Sequence, residues 1–484
     1  YGEDPYLTGR LAVAYVRGLQ GDDPACLKVV ATPKHFAVHS GPEPDRHSFD
    51  AVTDERDLRE TYLPHFRAAV EEGKAFSVMC AYNRYLGDAC CGSVRLLTKI
   101  LREEWGFEGY IVSDCGAITD IWNGHRIVKT NPEAAALGVK SGCDLSCGSE
   151  YQSLLEAVKA GLVSEAEIEA SLKRLFRARF KLGMFDPPER VPYARIPYSV
   201  VDSEKHRALA LEAAKKSIVL LKNENKTLPL RKDFSTIAVI GPNADDIEVL
   251  LGNYNGNPSN PITPLEGIRE KVSPGTRVLY ALGCEWAENM PSFEVVPSSA
   301  LFTEEATGKQ SGLKGESFNN REFKGEPAFV RIDSEVNFNW RDGAPDPAFD
   351  DDNFGVRWTG ELRPPVSGTY ALGAEGFNAF RLFLDDELIV QFRGSHHPRK
   401  TYKTVHLDEG KARRLKLEFM EFSEDAHLKL LWSVPSPDRE KEALEAAEQA
   451  EAIILVMGIS PRLEGEEMDV PVAGFSGGDR LTLD

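Results

Sequence analysis

From residue 1 to about residue 185 the chain repeats one pattern, a short apolar run followed by a segment with apolar residues at helical spacing. The runs lie at 28–34, 76–82, 109–113 and, more weakly, 142–145. Between and after them, 54–72, 93–105, 131–140 and 150–160 carry the helical period. Ser164-Glu-Ala-Glu167 is a capping box that opens a further helix through residue 182. Alternation of this kind predicts parallel strands, in a sheet that is either closed into a barrel or open and doubly wound. A barrel takes eight strands and about 250 residues. With four runs, a closed barrel would be present over residues 1–185 only as the C-terminal half of a (β/α)8 TIM-like barrel, its first half preceding Tyr1, and the open sheet stays an alternative.

A Pro-rich stretch, read as a linker over 186–202, leads to a different pattern. A helix is expected at 203–216, then buried strands at 217–222 and 236–241. The same character returns after residue 435, with a helix at 438–450 and a strand at 452–458. The fold class is therefore α/β, with one α/β domain split into 203–310 and 436–484. The insert at 311–435 alternates aromatic and β-branched residues in short stretches (354–359, 368–372, 380–384, 415–419 and 428–432) separated by Gly, Asp and Pro. That is the pattern of an antiparallel β-sandwich.

Several function classes drop out on composition. A net charge of -19 repels a phosphate backbone, so no nucleic acid is expected and a neutral substrate fits better. No run reaches the eighteen apolar residues of a membrane span, so no membrane partner is expected. A homo-oligomer stays open, as does the compartment, periplasmic or secreted against cytoplasmic, because no initiator Met opens the chain. The eight cysteines lack paired CxxC spacing. They are read as plain thiols with room for one bridge, and no metal is expected. Asp350-Asp-Asp-Asn353 lacks the spacing of a Ca²⁺ loop and reads as a solvated turn, as does His396-His397.

Asp114 ends the run at 109–113, and the carboxyl ends of parallel strands are where such sheets place their active sites. An N-cap for the next helix is an equally good reading of an Asp in that position. Lys34 and His35 close the first run; together they can donate to hydroxyls and keep a neighbouring carboxylate ionised, although a capping Lys beside a core His satisfies the same pattern. Tyr82 closes a third run. Three consecutive strand ends that offer polar groups point to a site.

Tyr1-Gly-Glu-Asp-Pro5, Lys34-His-Phe36, Met79-Cys-Ala-Tyr-Asn83, Gly109-Tyr-Ile-Val-Ser-Asp114 and Lys216-Ser-Ile-Val-Leu-Leu-Lys-Asn223 resemble, in order, the motifs of glycoside hydrolase family 3. The resemblance makes residues 1–185 the C-terminal half of the family's barrel and 203–310 with 436–484 its α/β sandwich, and the insert resembles the protective-antigen-type β-sandwich that some family 3 β-glucosidases carry, where it can lean over the active-site mouth. The resemblance implies a retaining exo-β-glycosidase that removes terminal β-glucosyl or β-xylosyl units without a cofactor or metal, acting on an oligosaccharide or aryl β-glycoside. It makes Asp114 the nucleophile, Lys34 and His35 sugar-hydroxyl binders, Tyr82 the tyrosine beside the nucleophile, and Met79 part of the same subsite. An Asp and an Arg that the family also uses fall upstream of Tyr1.

The acid/base is implied in Leu463-Glu-Gly-Glu-Glu-Met468, with Asp479-Arg480 following at longer spacing than in the family. Glu466 is the assignment and Glu464 the runner-up. Cys115 stands where many family β-glucosidases have Trp and β-xylosidase-like members have Cys, which leans the reading toward xylose. Two rivals remain: a β-N-acetylglucosaminidase or phosphorylase of the family that takes its acid from a barrel His, for which His39 is available, and a non-catalytic carbohydrate-binding protein.

Overall fold

The structure is a computed structural model that describes the chain except residues 253, 257, 288–289, 306–307, 342, 348, 350–351, 395–398, 423–425, 436–437, 467, 469, 471 and 483–484. Asp350 and Asp351 of the acidic turn, the His396-His397 pair and Glu467 thus lie outside the described residues. The chain forms two compact units. One comprises residues 1–228, 253–260 and 461–484, the other 229–252 and 261–460.

The first unit is built on a parallel layer. Strand Ser77–Cys80 pairs with Tyr110–Ser113 in register Ser77 to Tyr110, flanked by a bridge from Phe36 to Cys80 and another from Val112 to Leu145. The neighbour at 31–36 is only half a strand. Ala31 and Pro33 accept from the Ser77 and Met79 amides and the Phe36 amide donates back to Met79 O, but Pro33 has no N–H to return, so the ladder is broken there. Helices cover the layer where the periodicity places them. Asn131–Ser141 starts on a capping box from Thr130 and Glu133, and Glu165–Lys181 on the one from Ser164 and Glu167. Phe36, Val78, Leu97, Ile100 and Ile111 fill the space between, each no more than 1% exposed.

The second unit holds a three-stranded parallel sheet, ordered Ala452–Leu455, Thr236–Ile240, Arg277–Ala281, with helices Pro264–Lys271 and Arg439–Glu448. Between its second and third sequence segments lie two antiparallel sheets of eight and five strands, whose strands begin at Glu294 and run to Ser433. Trp358, Tyr370, Phe380, Phe419 and Trp432 fill the sandwich. The buried Trp358 indole donates to Asp333 at 2.7 Å, as a buried Trp N–H must find an acceptor.

Two expectations fail. Residues 217–222 are not a buried strand: the helix Glu204–Ser217 runs into an irregular segment in which Val219 is 73% and Leu221 92% exposed. An apolar run records what could be buried, and this one has no strand partner among the described residues. The cysteines are not plain thiols with at most one bridge: Cys80 pairs with Cys91 and Cys115 with Cys147, leaving Cys26, Cys90, Cys143 and Cys284 free. Linear spacing hides the second pair because parallel neighbours bring together strand ends 32 positions apart.

Candidate active site

Asp114 follows strand Tyr110–Ser113 at its carboxyl end and is 5% exposed. Its amide donates to Cys80 O at 3.2 Å, so the neighbouring strand still grips the backbone there. Gly116 then turns the chain at φ 80°, a left-handed conformation that favours glycine, and itself caps the helix Ala117–Trp122 with no side-chain bond. The Asp114 carboxylate is therefore not the helix cap. One oxygen accepts the Cys115 amide at 2.8 Å, and the other lies 2.9 Å from His35 Nε2. Burial alone would push the carboxyl up, but His35, the Cys115 N–H and the Lys34 charge outweigh it and hold Asp114 below the usual carboxylate range.

Tyr82 stands at the end of the preceding strand, with its hydroxyl donating 2.8 Å to the carbonyl of Cys115. It thus braces the residue after Asp114 from the next strand end. The Arg46 guanidinium stacks 4.6 Å from the centre of its ring, and the His47 ring meets it edge-on at 4.8 Å. His47 Nδ1 in turn lies 2.8 Å from Asp120.

The third side comes from the far end of the sequence, where Glu466 pairs with Arg46 and accepts the Tyr254 hydroxyl at 2.5 Å. The Lys34 ammonium sits 5.9 Å from the centre of the Tyr254 ring. Burial pushes Glu466 up and the Asp114 charge adds to that, but Tyr254, Arg46 and Lys34 together leave it below its ordinary value. Sharing its proton with Glu466 pushes the Tyr254 phenol up to about 12.

Asp114, Lys34, His35, Tyr82 and Glu466 are accordingly brought together. Glu464 is engaged elsewhere, 3.3 Å from Arg480. Met79 is half-buried on its strand, bonded through its backbone to Pro33 and Phe36, and the contacts that assemble the cluster run through other residues. His39 is turned to Asn83 at 3.2 Å, and burial, His35 and Arg46 lower its proton affinity. Arg46 and Tyr254 escape sequence reasoning, since each lies in a loop with no periodicity and meets its partner only across the fold. Among the described residues no group of His, Cys, Asp and Glu could hold a metal ion.

A buried, ionised carboxylate at a parallel strand end, faced by cationic donors and a second carboxylate, has the parts of a glycosidase site. Residues 1–178 match the glycosyl hydrolase family 3 N terminal domain and 309–446 the PA14 domain. Residues 1–178 are thus similar to the N-terminal domain of glycoside hydrolase family 3, and the chain resembles the β-glucosidase/β-xylosidase type of that family.

Along its whole length it is 36% identical to a xylan 1,4-beta-xylosidase of Xylanibacter ruminicola, of which it covers 56%. Over 59% of its length it is 42% identical to the probable beta-D-xylosidase 7 of Arabidopsis thaliana, of which it covers 38%. The chain thus spans about half the length, or less, of these relatives. In fold it resembles the β-glucosidase from Kluyveromyces marxianus, solved in complex with glucose. The TM-score is 0.69 at 24% identity, over 100% of this chain and 56% of that one.

Proposed function

We propose that the protein is a retaining exo-β-glycosidase that releases terminal β-xylosyl units in preference to β-glucosyl ones. The observation that carries this reading is the convergence of Glu466 with Asp114, through Lys34, Arg46 and Tyr254, within one unit. In the first step an Asp114 oxygen forms a bond to the anomeric carbon while the glycosidic C–O bond breaks and Glu466 gives its proton to the leaving oxygen. In the second, Glu466 takes a proton from water, water bonds to the anomeric carbon and the ester to Asp114 breaks. Charge explains the change of role. While ionised, Asp114 raises the proton affinity of Glu466; once esterified it is neutral, and Glu466 becomes the better base. His35 and Lys34 keep the nucleophile charged and stand ready to donate to sugar hydroxyls.

The preference for xylose is supported by Cys115, tied to Cys147 beside the nucleophile, and by the names of the two relatives. The reading with a barrel His as acid is disfavoured by the engagement of His39 with Asn83 and its lowered proton affinity.

The test is the Glu466→Gln variant of the full-length protein on nitrophenyl β-xyloside and β-glucoside. Hydrolysis is expected to fall by about 100-fold or more, with partial rescue by azide and a glycosyl azide product. Glu464→Gln should fall far less. An unchanged rate in Glu466→Gln, or rescue only in Glu464→Gln, would sink the assignment. Hydrolysis of neither glycoside by the parent protein would favour the non-catalytic reading.

A further inference from the structure

Arg46 belongs to no motif, yet it touches both halves of the cluster. Its side chain is 6% exposed, with the guanidinium over the ring of Tyr82, whose hydroxyl holds the carbonyl next to the nucleophile. One terminal nitrogen lies 3.1 Å from Glu43 and the other pairs with Glu466. The amide of Glu43 donates 2.7 Å to Asp479, in the short hairpin Phe475–Ser476 with Asp479–Arg480. An arginine that served only its own loop would be satisfied by Glu43, three positions away; this one spans 420 positions to reach Glu466. A cation over a ring with two terminal nitrogens at two carboxylates is a task for guanidinium and not for a lysine point charge.

We propose that Arg46 is a positioning residue that fixes the Glu466 carboxylate against the nucleophile side of the site and keeps its charge balanced through both steps. The inference rests on Glu466 being the acid/base. The groups that face Glu466 are Arg46 from the loop after Lys34-His35, Lys34 and Asp114 from two strand ends, and Tyr254 from the 253–260 segment. Tyr254 supplies a neutral donor, Lys34 acts without a direct bond, and Asp114 repels. Arg46 is the cation in direct contact. Its removal leaves Glu466 free to rotate about its own side chain and raises its affinity for a proton.

The test compares Arg46→Met and Arg46→Lys in the full-length protein on two aryl β-xylosides, one with an acidic dinitrophenol leaving group and one with a weakly acidic phenol. A good leaving group needs no proton from the enzyme; a poor one does. Measured on the acid side of the pH profile, Arg46→Met should lower kcat/KM about 100-fold for the poor leaving group and less than about 3-fold for the good one. The basic limb of the profile should move to higher pH. Arg46→Lys keeps the charge, so it should restore the limb and only part of the rate. The dinitrophenyl rate also reports folded sites.

Equal losses on both substrates in both variants, or a basic limb unmoved in Arg46→Met, would overturn the role. Glu466→Gln on the same pair separates the layers. If it shows no dependence on the leaving group, the acid/base assignment falls and this inference with it. If it shows that dependence and Arg46→Met does not, only the inference falls.

Discussion

Asp114 keeps its charge against its own burial. Only 5% exposed, it would be driven toward the neutral acid, and the His35 contact, the Cys115 N–H and the Lys34 charge reverse the sign. Glu466 meets the same contest and also comes out below its ordinary value. The proposed first step needs Asp114 ionised and Glu466 protonated, so its productive form carries one proton on the pair. With both groups held low, that form is scarce at neutral pH and grows as pH falls. kcat/KM should therefore rise as pH drops from about 7 toward about 5, turning down only when the pair takes up its second proton. A pH profile on a nitrophenyl β-xyloside checks this, and a flat line between those pH values and about 8 would contradict it.

At the scale of elements, the strand that carries Asp114 is held from below by Asp144. This carboxylate is fully buried and lies 2.7 Å from both Arg102 and Arg174, while accepting the Ile111 amide at 2.9 Å inside the strand. Removing the carboxylate leaves two partly buried guanidinium groups without it, which costs at most about 3–5 kcal/mol. Asp144→Ala should thus lower unfolding stability by up to that amount, read from denaturant midpoints, and should slow hydrogen exchange nowhere while speeding it along Tyr110–Ser113. A loss below about 1 kcal/mol would show that the strand is held by the ladder alone.

The strand itself, its neighbour Ser77–Cys80, the Ser164 capping box and the alternation of the sandwich strands were legible in the sequence. Each is written in residues close along the chain. The run at 217–222 misled because apolar content says nothing about whether a partner strand is present. The disulfides and the Arg46–Glu466 pair were hidden for the opposite reason, being properties of proximity that no local window contains. Glu466 was reachable only through the family pattern, since three Glu in a loop look like solvated surface. Its placement beside Arg46 and Tyr254 and apart from Glu464 supplies a physical ground for choosing between the two.

For the molecule as a whole, Asp114, the proposed nucleophile, at one strand end and Glu466 from a segment more than 350 positions later stand in one unit, joined by Arg46, Lys34 and Tyr254. The sandwich sits within the sequence of the other unit, with a core of its own. A net charge of -19 suits a neutral glycoside better than an anionic polymer. The central claim is that hydrolysis proceeds through an ester on Asp114. The most direct measurement is mass spectrometry of the full-length protein after inactivation by a dinitrophenyl 2-deoxy-2-fluoro-β-xyloside, with the labelled peptide sequenced. A stable fluoroxylosyl adduct on Asp114, absent from Asp114→Asn, is the result predicted; an adduct on another carboxylate, or turnover with inverted anomeric configuration and no adduct, would contradict it.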